Sequence, residues 1–314
     1  MKYGGIKLSD KEKIMFRDIT QDFSKNTSNY TFLLQKKKRN LKGEIPHPFL
    51  KWAGGKRQLI SQMYKYFPKN FNKYLEPFVG GGAVLFYLKP KFSTIIDINK
   101  ELINCYKVIK NNVTELIKLL KTHKNEKDYY YNVRALDRDE EKFKKLSNIE
   151  KASRMIYLNR CCYNGLYRVN SKGQFNVPFG RYKNPNFCDE ENLSAVSKAL
   201  EKVKIIHGSF ELCLDYAEKG DFVYFDPPYY PISKTSSFTS YTKENFREDS
   251  QHKLFHVFKK LDESGCKLML SNSYNEYIKS LYKDYNIITL DARRVINCKA
   301  AKRGNINVLL ILNY

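Results

Sequence analysis

Seven short and almost unbroken apolar runs recur along the chain, at residues 74–78, 94–98, 203–207, 222–225, 267–270, 287–290 and 306–312. Strands that carry Val, Ile, Leu and Phe without polar alternation are strands covered on both faces. Stretches with helical period separate these runs, so the pattern predicts an α/β layered sheet with helices on both of its faces. Hydrophobic residues make up 42% of the sequence, with 24 Tyr, 20 Phe and 1 Trp, which is enough to fill such a core and excludes a disordered polyelectrolyte. At 314 residues the chain suits one large domain, or one domain carrying a sizeable insertion.

The insertion has a place. From Leu102 to about Asp189 helical stretches dominate, one of them opened by the capping box Ser147-Asn148-Ile149-Glu150 and expected to run to about Gly165. Residues 102–189 therefore read as an inserted, mainly helical subdomain within a catalytic domain formed by residues 46–101 and 190–314. Residues 1–45 are polar and include the run Lys36, Lys37, Lys38, Arg39. They read as a flexible basic extension, better explained as a solvated tail than as a phosphate contact or a localisation signal.

Charge narrows the partners. Lys and Arg number 56 against 33 Asp and Glu, a formal net charge of +23 that calls for a polyanion, with nucleic acid first. Biased codon usage toward Lys and Asn is the bland alternative. No run reaches the roughly 18 apolar residues that span a membrane, and the first residues lack the apolar stretch of a secretory signal. The 7 cysteines form no C-x-x-C pair, so neither a zinc ribbon nor a disulfide framework is supported. Reduced thiols in a cytoplasmic protein are expected.

Three motifs carry chemistry. Glu76-Pro77-Phe78-Val79-Gly80-Gly81-Gly82 lies where a predicted strand gives way to a helix, a place where glycines let the backbone turn and approach a ligand beside free helix amides. It does not fit a nicotinamide fingerprint, since Leu85 stands where a small residue belongs, and Lys56 in Gly54-Gly55-Lys56-Arg57 is not followed by the Ser or Thr of a Walker loop. Asp97 ends the next strand, where a carboxylate can accept from both ribose hydroxyls; an ordinary strand-end Asp is the plain alternative. Together the two point to an adenosine-containing cofactor. Asp226-Pro227-Pro228-Tyr229 comes after the run Phe222-Val223-Tyr224-Phe225 and is the most specific signal. Prolines have no amide proton to give a ladder, so a carboxylate, a rigid carbonyl and an aromatic plate are left to meet a planar ring bearing an amino group.

Glu-Pro-Phe-x-Gly-x-Gly followed by Asp-Pro-Pro-Tyr resembles the S-adenosylmethionine-dependent DNA adenine N6-methyltransferases. The preceding Phe49-Leu50-Lys51-Trp52-Ala53-Gly54-Gly55-Lys56 is similar to the Dam type, with the motif order called α. Asn159-Arg160, Tyr163-Asn164-Gly165-Leu166-Tyr167-Arg168, Phe175-Asn176-Val177-Pro178-Phe179-Gly180-Arg181-Tyr182 and Ser271-Asn272 fit as well. The resemblance runs from about Pro48 to Tyr314, and in detail it is to the Dpn-type modification enzymes that methylate adenine in GATC.

This resemblance implies a Rossmann-like class I methyltransferase sheet whose insertion recognises DNA. The reaction it implies moves a methyl group to the exocyclic amine of an adenine flipped out of duplex DNA. By the same resemblance Asp226, Pro227, Pro228 and Tyr229 are the catalytic residues. Trp52, Lys56, Glu76, Phe78, Gly80, Gly82, Asp97 and Asp226 are then expected to hold S-adenosyl-L-methionine, with Glu76 assigned to its amino group on charge. Lys51, Tyr163, Asn164, Leu166, Arg168, Pro178 and Arg181 are expected to meet the DNA, Arg168 on a guanine edge and Tyr163 as a wedge in the stack. The residues 235–242 are expected to form a loop that closes over DNA. A monomer is expected, with a cognate restriction endonuclease acting on the same site as its companion. No metal is needed, and the pair His252 and His256, at i and i+4, lacks the Glu and third ligand of a zinc site.

Two departures stand out. Residues 1–45 have no counterpart, and Val308 stands where the family usually carries a Glu in the last strand. The competing functions are methylation of RNA or of a protein amide, a silent DNA-binding relative, and a basic DNA packager that would leave every motif unexplained.

Overall fold

The computed structural model describes residues 45–230, 246, 248–293 and 305–314. The N-terminal extension up to residue 44, with its basic run, and the loop expected at 235–242 lie outside the described residues.

Seven strands among these residues form one sheet: β1 Tyr74–Glu76, β2 Ser93–Asp97, β3 Val203–His207, β4 Phe222–Phe225, β5 Lys267–Ser273, β6 Asn286–Arg293 and β7 Asn305–Leu312. Their order is β3-β2-β1-β4-β5-β7-β6. The first five are parallel, and β7 enters antiparallel between β5 and β6. This is a doubly wound, Rossmann-like methyltransferase sheet.

Side-chain alternation explains why the strands read as unbroken apolar runs. Along β4, Phe222 and Tyr224 enter one core layer while Val223 and Phe225 enter the other. Along β7, Val308, Leu310 and Leu312 face the first layer, and Leu309 and Ile311 the second. With period two and both faces covered, apolar side chains are favoured at every position of such a strand. Val308 is 3% exposed, as a strand-core residue should be.

Helices supply the two layers. The first core layer takes buried residues from α1 Ile60–Met63, α2 Ala83–Leu88, α3 Lys100–Asn111, α4 Val113–Leu120, α5 Lys127–Ala135, α7 Asn148–Cys161 and α8 Glu190–Leu200, while α6 Glu140–Lys145 buries none of its residues. Facing the second layer are α9 Glu248–Glu263 and α10 Glu276–Leu281. Polar residues start several of them: Asn99 accepts from the Leu102 amide, Asp189 from Asn192 and Asn275 from Tyr277. No helix among the described residues is long and apolar enough to cross a membrane.

Among the boundaries that differ from the sequence reading, three have a clear physical cause. β1 stops at Glu76 because Pro77 has no amide to give, and Phe78 turns out of the sheet to stack on Phe210 at 5.2 Å. β5 continues through Ser271, Asn272 and Ser273, polar residues buried between β4 and β7. The capping box at Ser147 forms as expected, but α7 ends at Cys161, since Cys162 is extended (φ −78°, ψ 163°) and Gly165 belongs to the next turn.

The chain leaves β1 toward β2 on one side, while β4 lies on its other side. The sheet reverses winding there, and the carboxyl ends of β1 and β4 open a crevice where ligands bind in such sheets.

Candidate active site

Asp226 continues directly from β4 into this crevice. The Lys56 ammonium is 2.5 Å from Asp226 Oδ1, and the Ser271 hydroxyl donates to the same oxygen at 2.9 Å. Among the described residues no bond reaches Oδ2. Ser271 also shares a hydrogen bond with the Tyr224 hydroxyl, at 3.1 Å. Lys56 is 3% exposed, donates to the Gly54 carbonyl at 2.7 Å and sits 4.7 Å over the Tyr229 ring. Pro227 is buried and Pro228 exposed.

The electrostatics derive from burial. Burial pulls the Lys56 ammonium down, but Asp226 and Tyr229 outweigh it and its pKa is net raised. Burial pushes the Asp226 carboxyl up, while Lys56 and the Ser271 hydroxyl pull it back. A raised lysine favours the charged pair and a raised carboxyl the neutral one. The 2.5 Å contact and a second donor on the same oxygen suit a carboxylate, so the pair is charged. Glu76 is 3% exposed and accepts from the Tyr74 hydroxyl at 2.9 Å. Burial raises its carboxyl well above the usual range, and nearby Asp226 adds to this.

The glycine turn lies beside this pair. Gly80 and Gly82 have φ of +47° and +70°, a region that favours glycine. A Cβ on Gly80 would lie 2.8 Å from Trp52 Cδ1, and one on Gly82 would lie 2.6 Å from the Tyr106 hydroxyl. Tyr106 donates to the Gly80 carbonyl at 2.9 Å. Asp97 closes the turn, accepting from the Gly80 amide on Oδ2 at 3.0 Å and from Asn99 on Oδ1 at 2.9 Å. Burial raises its carboxyl, opposed chiefly by these backbone donors. A side-chain-free turn bordered by a carboxylate and an indole fits a nucleoside joined to an amino acid. Phe78 stands apart from this group, stacked on Phe210 and edge-on to Phe246 at 5.7 Å.

A second cluster gathers the residues expected to meet DNA. The backbone of Lys51 is held on both sides by Asn159, which accepts from its amide at 2.8 Å and donates to its carbonyl at 2.9 Å. Arg160 donates twice to the Phe49 carbonyl. The Lys51 stem lies against Gly165, where a Cβ would collide with it, and its ammonium is 4.6 Å from the Tyr182 ring centroid. Tyr163, 49% exposed, donates its amide to the Pro178 carbonyl at 2.9 Å. Asn164 and Arg181 adopt φ of +56° and +54°, and Leu166 belongs to the same turn, its amide on the Tyr163 carbonyl. Arg168 projects beyond this group, bound to Asn176. Trp52, stacked on Tyr167 at 5.3 Å, joins the two clusters. His252 packs edge-on against Tyr277.

Tyr224 and Tyr106 carry no motif and were missed by sequence reading. Ser271-Asn272, like Asn159-Arg160, was visible only as a match without a role. No local pattern reveals that these residues hold Asp226, Gly80 and the Phe49–Lys51 backbone.

The chain is similar to known proteins over most of its length. Residues 52–296 match the family model described as D12 class N6 adenine-specific DNA methyltransferase. The Type II methyltransferase M.MjaIII of Methanocaldococcus jannaschii is 51% identical over 291 residues, covering 85% of this chain and 99% of that protein. Type II methyltransferase M1.LlaDCHI of Lactococcus lactis subsp. cremoris is 48% identical over 286 residues, covering 90% and 99%. A DNA adenine methylase of Haemophilus influenzae is 34% identical over 290 residues, covering 89% and 98%. The chain belongs to the D12 class of N6 adenine-specific DNA methyltransferases.

Proposed function

We propose that this enzyme methylates the adenine of GATC in duplex DNA after flipping that base out of the stack. The observation that carries the chemistry is the arrangement of Asp226: two donors fix Oδ1, and among the described residues none reaches Oδ2, which would meet an amine. S-adenosylmethionine, when bound, supplies a methyl group on a sulfonium. Trp52, the Gly80–Gly82 turn, Asp97 and Lys56 would hold it. Glu76, whose carboxyl burial raises, would face its amino group, and Phe78, apart from these residues, is assigned to it on the motif alone.

A base inside a duplex cannot reach a buried methyl donor, and extruding it costs a few kcal/mol. Stacking on Tyr229 returns roughly 1–3 kcal/mol. Asp226 Oδ2 and the Pro227 carbonyl then accept the two amine protons and turn the nitrogen lone pair toward the methyl group, while Pro228 keeps the turn rigid. With the Lys56 ammonium paired to it, Asp226 is not called on as a strong general base. It orients and polarises the amine, and the proton leaves during or after attack.

Residues 102–189 would read the site, Arg168 on a guanine edge by a bidentate contact worth roughly 1–3 kcal/mol, with Lys51, Tyr163, Asn164, Leu166, Pro178 and Arg181 beside it. The names of the Type II methyltransferase relatives support a companion restriction endonuclease. A monomer suffices for this chemistry.

Transfer of labelled methyl groups from S-adenosylmethionine to unmethylated duplexes, with nucleoside analysis of the product, tests the reading. Label is expected as N6-methyladenine and only in duplexes containing GATC. Label in other duplexes would overturn the target sequence but keep the chemistry. Label in RNA alone, or none with cofactor bound, would favour an RNA substrate or a silent DNA-binding relative.

A further inference from the structure

Close to the residues expected to read DNA lies an ionic cluster that the reaction does not use, its Asp137 and Arg154 buried and its Arg138 partly exposed. The chain from Arg168 to Val177 folds back on itself. Val169 pairs with Phe175, the Asn176 amide donates to the Arg168 carbonyl at 3.0 Å, and Gly173 turns the chain with φ +77°. Both backbone groups of Phe175 are taken by side chains from outside this fold-back. Its amide donates to Asp137 Oδ2 at 2.7 Å, and its carbonyl accepts from Arg138 Nη2 at 2.6 Å. The Val177 carbonyl accepts from the Tyr130 hydroxyl at 2.8 Å and from Arg134 Nη1 at 3.2 Å.

Asp137 is held in turn. Arg138 Nη1 meets its Oδ1 at 2.7 Å, and Arg154 Nη2 meets its Oδ2 at 2.7 Å. Arg154 is 2% exposed, and its other donors go to the Val133 and Arg134 carbonyls at the end of α5. Glu101 lies 3.9 Å from it on α3. Between the two fixed residues stands Asn176, whose side-chain oxygen accepts from Arg168 Nε at 2.7 Å and whose carbonyl accepts from Arg168 Nη2 at 3.2 Å.

We propose that Asp137, Arg138 and Arg154 are positioning residues for target discrimination, fixing Asn176 and through it the Arg168 guanidinium. A planar fork recognises a base edge only when held to within about 0.5 Å, and Arg168 itself is exposed and rich in rotamers. Buried ion pairs can often be replaced by apolar groups with no loss of stability. A cluster spent on both backbone groups of one residue therefore serves geometry. The proposal rests on the reading of Arg168 as a guanine contact.

The test measures kcat/KM on a GATC duplex and on duplexes with one G·C pair replaced, together with S-adenosylmethionine affinity by calorimetry, for the full chain and for Arg138→Gln, Asp137→Asn, Arg168→Ala and the double variant Arg138→Gln/Arg168→Ala. Arg138→Gln and Asp137→Asn are expected to lower the discrimination ratio about tenfold or more with cofactor affinity within about twofold, and the double variant to be no less discriminating than Arg168→Ala alone. Should Asp137→Asn fail to fold, Arg138→Gln carries the test, since that side chain is 35% exposed. An unchanged ratio in Arg138→Gln beside a lowered one in Arg168→Ala overturns the clamp alone. Parallel loss of cofactor affinity marks general loosening and overturns it too. An unchanged ratio in Arg168→Ala removes the guanine contact and the clamp together.

Discussion

Asp226 shows how one side chain is given a task by its neighbours. Lys56 and Ser271 share its Oδ1, so two donors pin the carboxylate through one oxygen. Replacing Asp226 by Ala removes both the acceptor and the pin. We expect methyl transfer to fall by at least about a hundredfold, the scale on which a single aligned transition-state partner counts, while circular dichroism stays unchanged. Turnover near the parent level would sink the assignment. Ser271→Ala removes one hydrogen bond to a charged group, worth about 1.5–3 kcal/mol, so a slowing of roughly ten- to a hundredfold at unchanged cofactor affinity is expected, with partial recovery in Ser271→Thr. The Asp-Pro-Pro-Tyr stretch was legible in the sequence because its chemistry is carried by adjacent residues. The roles of Ser271, a motif match, and of Tyr224 were not, since nothing near them in the chain indicates that β4 and β5 are neighbours.

Among the elements, α7 holds more than its own turn. Its capping box opens it, its middle presents Arg154 to Asp137, and Asn159 and Arg160 near its end clamp the backbone of residues 49–51. It also carries Tyr157, on which His123 stacks at 4.3 Å, and Ser153, which meets His123 Nε2 at 2.9 Å while Tyr129 meets Nδ1. Burial pulls the His123 imidazole down from 6.5 to about 4. The folded protein therefore refuses a proton that the unfolded chain accepts. The contribution of this neutral histidine is complete above about pH 6.5 and is lost as pH falls toward 4. Thermal melts across that window should drop more steeply for the parent than for His123→Gln, and equal slopes would show that another group governs the acid limb. The cap was legible as a local four-residue pattern. The helix end was misplaced, because Cys162 leaves the helix to pair with Phe179, a partner 17 residues away.

For the whole molecule, the formal net charge of +23 meets a sheet whose crevice is set by strand order. A surface that neutralises six to ten phosphates loses about 10³–10⁵ in affinity between 50 and 200 mM salt. A comparable fall is expected for this enzyme with duplex DNA, read by fluorescence anisotropy. A flat dependence would mean that the charge serves something other than the DNA backbone. Charge was legible because it is a sum over residues and needs no fold.

By itself, then, the sequence determined whatever adjacent residues can carry: the apolar runs of a sheet covered on both faces, the Gly80–Gly82 turn, the Asp-Pro-Pro-Tyr stretch, the cap at Ser147 and the surplus of positive charge. Tertiary structure alone decided which distant groups meet. Lys56 and Asp226 are separated by 170 positions, Asp137 and Phe175 by 38, and each contact depends on how the strands and helices between them pack. Local patterns report a residue's own backbone and burial preferences. A buried charge or an oriented carboxylate also needs its partner in place, and that placement exists only once the sheet has closed its order.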